Sequence, residues 1–467
     1  MSASKPMSLL CLECVLQYMD ANTRFSRFRI AQHSPTIRSI EKRVPLCIKK
    51  LELSEYQFIV NDICYRLGIY QDYPDTLRIP DAVKKLNDQG GEQKDLDKYG
   101  INIYGRSQEL TPGDIMIDNG YPTGGMPAFP PEIYRMERSL HSYQDELVRR
   151  DAPPRPPREP SPYSSPEYDP VSPVYGFSSP EYSATSPTYS PCDFVTDVEQ
   201  LSKEELNEGI ESKNAELLPF LMRRDGEEPT WSLLAQLTIS KDDSKVIYRG
   251  KYTTLAQNMK SIYTYFFGNR KHVISVGKLF VDCSCYYDAV LRLPENLKFK
   301  VSSLKFERKS RNICEAITPI ICESSFPLQQ VEIEHTGGHP WIRTARSVKI
   351  IVDHPRNALS TQYILSLECR KLKVKDRYSA LEFTIADCIP VIEQWLTTGK
   401  AAGTCYKFAM QTKDLDILKG IANRFNGEHK KWKTKIPMDR FGLELHIGYK
   451  KTGDKNRLKM RVKEHRQ

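Results

Sequence analysis

One short pattern returns five times in the second half of this 467-residue chain. Leu279-Phe-Val281, Leu304-Lys-Phe306, Val331-Glu-Ile333, Val348-Lys-Ile350 and Leu372-Lys-Val374 each carry two apolar residues around a middle one. Side chains alternate between the two faces of a strand, so each triplet offers two residues to a core and one to the opposite side. Successive copies are offset by 25, 27, 17 and 24 residues. Such gaps are too long for hairpins and suit a strand followed by a crossover. Helix-like text, such as Ile313–Cys322, fills some of them. The predicted class is therefore mixed α/β, built of repeated strand–helix units, either stacked as a solenoid or laid out as an open sheet. The strand and loop residues around the five triplets are the expected contact surface.

The triplets resemble a degenerate leucine-rich repeat without its asparagine ladder. They fall in a predicted C-terminal α/β module, residues 198–449. There Ser202-Lys-Glu-Glu205 reads as a capping box, and Leu233–Ile239 and Lys245–Tyr252 read as paired strands. Thr254 caps a helix with Leu255, Met259, Ile262 and Phe266 inward, stopped by Gly268. Asp387 is the expected cap of a helix containing Ile389, Ile392 and Trp395, and Leu443–Tyr449 is the last expected strand. A predicted N-terminal α/β module, residues 1–118, opens with a helix capped by Ser8, with Leu9, Leu12, Val15, Leu16 and Met19 on one face. Phe58–Val60 and Ile63–Leu67 flank Asn61-Asp62 as a tight hairpin.

Between the modules, residues 119–197 read as a linker. Its amphipathic helix, 132–150, carries Ile133, Met136, Leu140 and Leu147 and is expected to dock on the body. Residues 151–191 are predicted to be disordered, because frequent Ser-Pro steps forbid a helix and leave little to bury. Ser165, Ser172, Ser179 and Ser186 precede prolines and recur every seven residues, with Tyr168, Tyr175, Tyr182 and Tyr189 in step. With Ser190, these serines are candidate sites for proline-directed phosphorylation, which adds about −1.5 to −2 charge at each. A plain spacer is the alternative. Tyr182-Ser-Ala-Thr-Ser-Pro-Thr-Tyr-Ser-Pro191 resembles the C-terminal heptads of the largest subunit of RNA polymerase II.

The net charge of +9 is uneven. Residues 450–467, read as a basic tail, carry eight Lys and Arg against Asp454 and Glu464, and Lys430, Lys431, Lys433 and Lys435 cluster nearby. Such an end attracts nucleic acid or an acidic protein, or simply stays solvated. No apolar run spans a bilayer and the N-terminus lacks a secretory pattern, so an intracellular chain with reduced cysteines is expected. Cys11 and Cys14 have zinc-finger spacing without a second ligand pair, and burial in the helix face is expected. His335-Thr-Gly-Gly-His339 reads as a turn, since its glycines break the helix that two metal ligands four apart would need. Gly120-Tyr-Pro-Thr-Gly-Gly125 lacks the lysine of a phosphate loop. No catalytic signature emerges, so no cofactor is expected and the chain is predicted to be non-enzymatic.

Several strings look familiar as a set. Leu9-Leu-Cys-Leu-Glu-Cys-Val-Leu-Gln-Tyr-Met19, Arg38-Ser-Ile-Glu-Lys-Arg-Val-Pro-Leu46, Tyr65-Arg-Leu-Gly-Ile69, Tyr265-Phe-Phe-Gly-Asn-Arg270, Leu291-Arg-Leu-Pro-Glu-Asn-Leu297 and Trp395-Leu-Thr-Thr-Gly-Lys-Ala-Ala-Gly-Thr404 resemble a nematode-expanded family of unknown function grouped with F-box-associated proteins. The resemblance covers most of the chain outside 151–191. It implies a protein–protein interaction module and a substrate receptor of a Skp–cullin–F-box ubiquitin ligase, with Leu9, Val15 and Leu16 as contacts to the Skp adaptor. The alternative is a nucleic-acid- or transcription-associated factor that uses the basic tail and the heptads.

Overall fold

The computed structural model describes residues 8–26, 34–103, 109–117, 132–152, 198–282, 289–307, 312–334, 339–352, 359–377, 384, 386–410, 415–452 and 455–464. Ser8 accepts the Cys11 backbone N–H and caps α1 (Leu9–Tyr18); α2 (Ala21–Ser26) follows, and Ser34 caps α3 (Pro35–Arg43). β1 (Cys47–Leu53), β2 (Gln57–Val60) and β3 (Ile63–Asp72) form an antiparallel meander. Its tight turn holds Asn61 at φ 57°, a left-handed conformation that asparagine tolerates. Then come α4 (Asp81–Asp88), the short β4 (Ile115–Ile117), α5 (Glu132–Asp151) and α6 (Lys203–Asp225), which opens on the expected Ser202–Glu205 capping box. α5 docks along α6, and Tyr143 occupies space that a side chain at Gly209 would fill. Arg150 of α5 donates to the carbonyls of Glu199 (2.8 Å) and Leu201, joining the two helices at their ends.

The remaining strands are β5 (Ser232–Lys241), β6 (Ser244–Lys251), β7 (Ile274–Asp282), β8 (Ala289–Leu291), β9 (Phe299–Glu307), β10 (Gln330–Ile333), β11 (Ser347–Val352), β12 (Lys371–Asp376) and β13 (Cys405–Met410). Helices α7 (Leu255–Phe267), α8 (Ile313–Ile317), α9 (Pro340–Thr344), α10 (Thr361–Leu365) and α11 (Ile389–Thr398) lie between them in sequence. The chain continues through α12 (Leu415–Arg424), β14 (Glu428–Lys430), β15 (Lys433–Met438), β16 (Leu443–Thr452) and β17 (Lys455–Glu464).

Fifteen of these strands make one mixed sheet, ordered β14-β15-β16-β17-β13-β12-β11-β10-β9-β7-β1-β2-β3-β5-β6, while β4 and β8 pair apart. The triplets sit at its centre as a parallel run in chain order, between antiparallel meanders. Their register is in phase: Leu51, Leu279, Leu304, Val331, Val348, Leu372 and Tyr406 stand side by side across seven strands. Each is at most 1% exposed. Helices carry Phe266, Ile317, Ile342, Ile364 and Trp395 into the same core. These helices cover the face of the sheet to which the in-phase apolar row points.

Three expectations need correction. The stretch read as a basic tail is strand: β17 pairs with both β16 and β13, and Leu458, Met460 and Val462 are fully buried. Its period of two was masked by the lysines and arginines in alternate positions. Nor do residues 1–118 and 198–449 build separate sheets, because β1 pairs with β7 and β3 with β5. Local patterning marks which residues are buried but not which distant strand they meet. Asp387 does not cap α11; it accepts from the N–H and hydroxyl of Thr384, both at 2.7 Å.

Candidate functional site

The middle residues of the triplets are the ones the core does not take. Backbone alternation sends them to the uncovered face, and the in-phase register aligns them too. Lys305, Glu332, Lys349, Lys373, Lys407 and Lys459 form one row across β9, β10, β11, β12, β13 and β17. A second row runs Ser347, Lys371, Cys405, Arg461. Neighbouring strands lie about 4.8 Å apart, so Lys349, Lys373, Lys407 and Lys459, on successive strands, are close neighbours.

The charge balance changes along the first row. At its β9 end Lys305 lies 4.3 Å from the centre of the Phe280 ring, and Glu332 pairs with Lys349 at 2.5 Å. Burial alone would raise the Glu332 carboxyl, but the hydrogen bond from Lys349 and the charges of Lys278 and Lys305 hold it below its ordinary value. From β11 to β17 neither row contains a carboxylate. There burial, followed by repulsion from Lys375, Arg457, Lys349 and Lys407, lowers the Lys373 ammonium from its ordinary value. Like charges facing each other across strands destabilise a sheet. The arrangement therefore stores unfavourable energy that an acidic ligand would relieve.

This has a consequence for stability. A lysine whose folded pKa is depressed opposes folding while it is protonated, and the penalty fades as pH rises through that value. Lys373→Gln should therefore raise the melting temperature by up to about 1 °C at neutral pH, corresponding to about 0.5 kcal/mol. The gain should shrink in high salt, where screening already softens the repulsion. A salt-independent loss of stability on calorimetry would contradict the repulsive row.

Of the residues predicted as adaptor contacts, Leu9 and Val15 are 57% and 43% exposed, whereas Leu16 is 6% exposed and packs on Ile40 and Val44. Leu16 is thus withdrawn from any partner, because α1 uses that edge to sit on α3. Cys11 and Cys14, expected in the core, are exposed for the same reason. His339 accepts the Trp341 N–H at the start of α9, while 335–338 lie outside the described residues. So do Cys283-x-Cys285, Gly120–Gly125 and the serines at 165, 172, 179, 186 and 190. Lysine is the middle letter of three triplets, at 305, 349 and 373, so half of the row is present in the sequence pattern itself. The described residues include no helix long and apolar enough to cross a membrane. No curated protein and no solved structure matches the chain. Residues 254–412, which span α7 through β13 and so most of the parallel run, match the family model described as a domain of unknown function (DUF3557).

Proposed function

We propose that this chain is a non-catalytic protein–protein interaction module whose lysine-rich sheet face receives an acidic segment of a partner. The observation that carries this is the row Lys373, Lys407 and Lys459, next to Lys371 and Arg461, which contains no carboxylate and lies on the face of the sheet opposite the core. An anionic partner gains attraction there and removes internal repulsion at the same time. Protein is favoured over single-stranded nucleic acid because the outward positions of β12, β13 and β17 carry no aromatic ring, whereas strand binders stack bases on such rings. The test is anisotropy with labelled polyglutamate and with duplex DNA of matched charge. Saturable polyglutamate binding supports the proposal. Preference for DNA, with a steep salt slope, would transfer the face to the nucleic-acid alternative.

A substrate-receptor role in a Skp–cullin–F-box ligase is a second reading, supported by α1. Leu9, Leu10, Val15 and Tyr18 are exposed on a helix that packs by its other edge, and surface apolar clusters of this kind mark partner sites. Full-length chain should then bind a Skp adaptor, and Leu9→Glu with Val15→Glu should weaken it more than about tenfold by burying charge at the contact. An adaptor that ignores the wild-type chain in a titration removes this role.

A further inference from the structure

The lysine face is not the only concentration of positive charge. α3 lies against the end of α7 and the turn that follows it, and a cleft of about 590 Å³ opens between them. Its wall presents Arg38, Lys42, Arg43, Arg270 and Lys271, and none of its lining residues is a carboxylate. The polar groups Ser39, Thr264 and Asn269 complete it. Two acids close by are already engaged. Glu41 is bracketed by Arg24 at 2.8 Å and Arg270 at 2.7 Å, and Glu13 pairs with Arg43 at 3.0 Å.

Uncharged groups also hold three of the cations in place. Lys42 donates to the carbonyls of Tyr265 and Gly268, the latter at 2.8 Å, so it covers the negative end of α7 that would otherwise repel an anion. Arg38 lies 4.5 Å from the centre of the Tyr265 ring, and Arg270 is anchored by the Phe266 carbonyl at 3.0 and 3.1 Å. Burial, then Arg270 and Arg38, push the Lys42 ammonium down to about 7, against the opposing pull of Glu41. Positive charge is crowded here beyond what the local acids balance.

We propose that this cleft binds the phosphate group of a small phosphate monoester. A phosphate dianion offers several acceptors for forked guanidinium and ammonium donors. The volume is that of a small-molecule site and leaves room for an organic group beside the phosphate.

Calorimetric titration of the full chain tests this, with inorganic phosphate in one arm and adenosine monophosphate in the other. Saturable one-to-one heats in either arm support the site. Tighter binding of the nucleotide shows that the organic group is held, and equal binding shows a site for phosphate alone. Arg38→Gln with Lys271→Gln, both exposed positions, should weaken binding about 100-fold, at roughly tenfold for each charge-assisted hydrogen bond lost. Wild-type protein should also melt at higher temperature in about 10 mM phosphate than in chloride of equal ionic strength, since a ligand of the folded state stabilises it. Absent heats with no melting shift, or binding that the double variant leaves unchanged, would overturn the proposal.

Discussion

Asp114→Ala is expected to destabilise the protein by about 3–5 kcal/mol, the usual cost of breaking a buried ion pair from one side. Asp114 has no exposed side-chain surface, and it joins segments far apart in sequence. Its carboxylate meets Lys260 of α7 at 2.7 Å and Arg292 after β8 at 2.8 Å, and it accepts the N–H and hydroxyl of Thr111 at 2.8 Å each. Arg292 is 4% exposed and also donates to the Glu109 carbonyl at 2.7 Å. Removing the carboxylate leaves a buried guanidinium facing a void. The same site sets a pH dependence. Burial alone would raise the Asp114 carboxyl, but the hydrogen bonds from Lys260, Thr111 and Arg292 outweigh it and hold the group below its ordinary 3.8. A depressed carboxylate stabilises the fold above its unfolded pKa, and that contribution is lost as pH falls through the folded value. Urea titrations should therefore show the wild type losing stability below about pH 4, while the alanine variant starts low and changes less across that window. Equal acid limbs in the two proteins would show that Asp114 contributes no such anchor.

The second large effect concerns the open sheet face. Reversing Lys373, Lys375 and Lys407 together to glutamate should weaken binding of an acidic segment by at least about 100-fold, as several attractive contacts become repulsive. The variant should still fold. These side chains point away from the core, and the introduced carboxylates at 373 and 407 would face Lys349 on β11 and Lys459 on β17, so attraction replaces repulsion at both ends of the reversed pair. Loss of binding from a protein of unchanged or raised melting temperature separates recognition from folding. A variant that binds polyglutamate as tightly as the wild type would remove the face from the account.

Much of the fold was legible because local chemistry dictated it. Thr254 and Ser202 cap their helices through hydrogen bonds three residues on, and Asn61 takes the left-handed turn that joins β2 and β3. The five triplets became adjacent strands because Leu279, Leu304, Val331, Val348 and Leu372 each needed the same buried level. What stayed hidden was non-local. Nothing in the text near Cys47 says that its strand will lie parallel to the one that begins at Ile274. β17 is not legible from local pattern because its buried Leu458, Met460 and Val462 alternate with strong charges, as in a solvated end. The site was half legible for a related reason. The strand period already assigned Lys305, Lys349 and Lys373 to the face opposite the core, but their alignment with Lys407 and Lys459 depends on register, which only pairing fixes. The α3–α7 cleft depends wholly on such a meeting of remote segments.

Lysine footprinting tests the central claim most directly. The full chain is acetylated at low reagent concentration, with and without saturating polyglutamate, and each lysine is quantified by mass spectrometry. Ligand should protect Lys373, Lys407 and Lys459 selectively, while Lys245 and Lys251 on the far edge strand β6 react as before. Uniform protection of all lysines, or protection confined to sites away from β11, β12, β13 and β17, would contradict a sheet face built to receive an acidic partner.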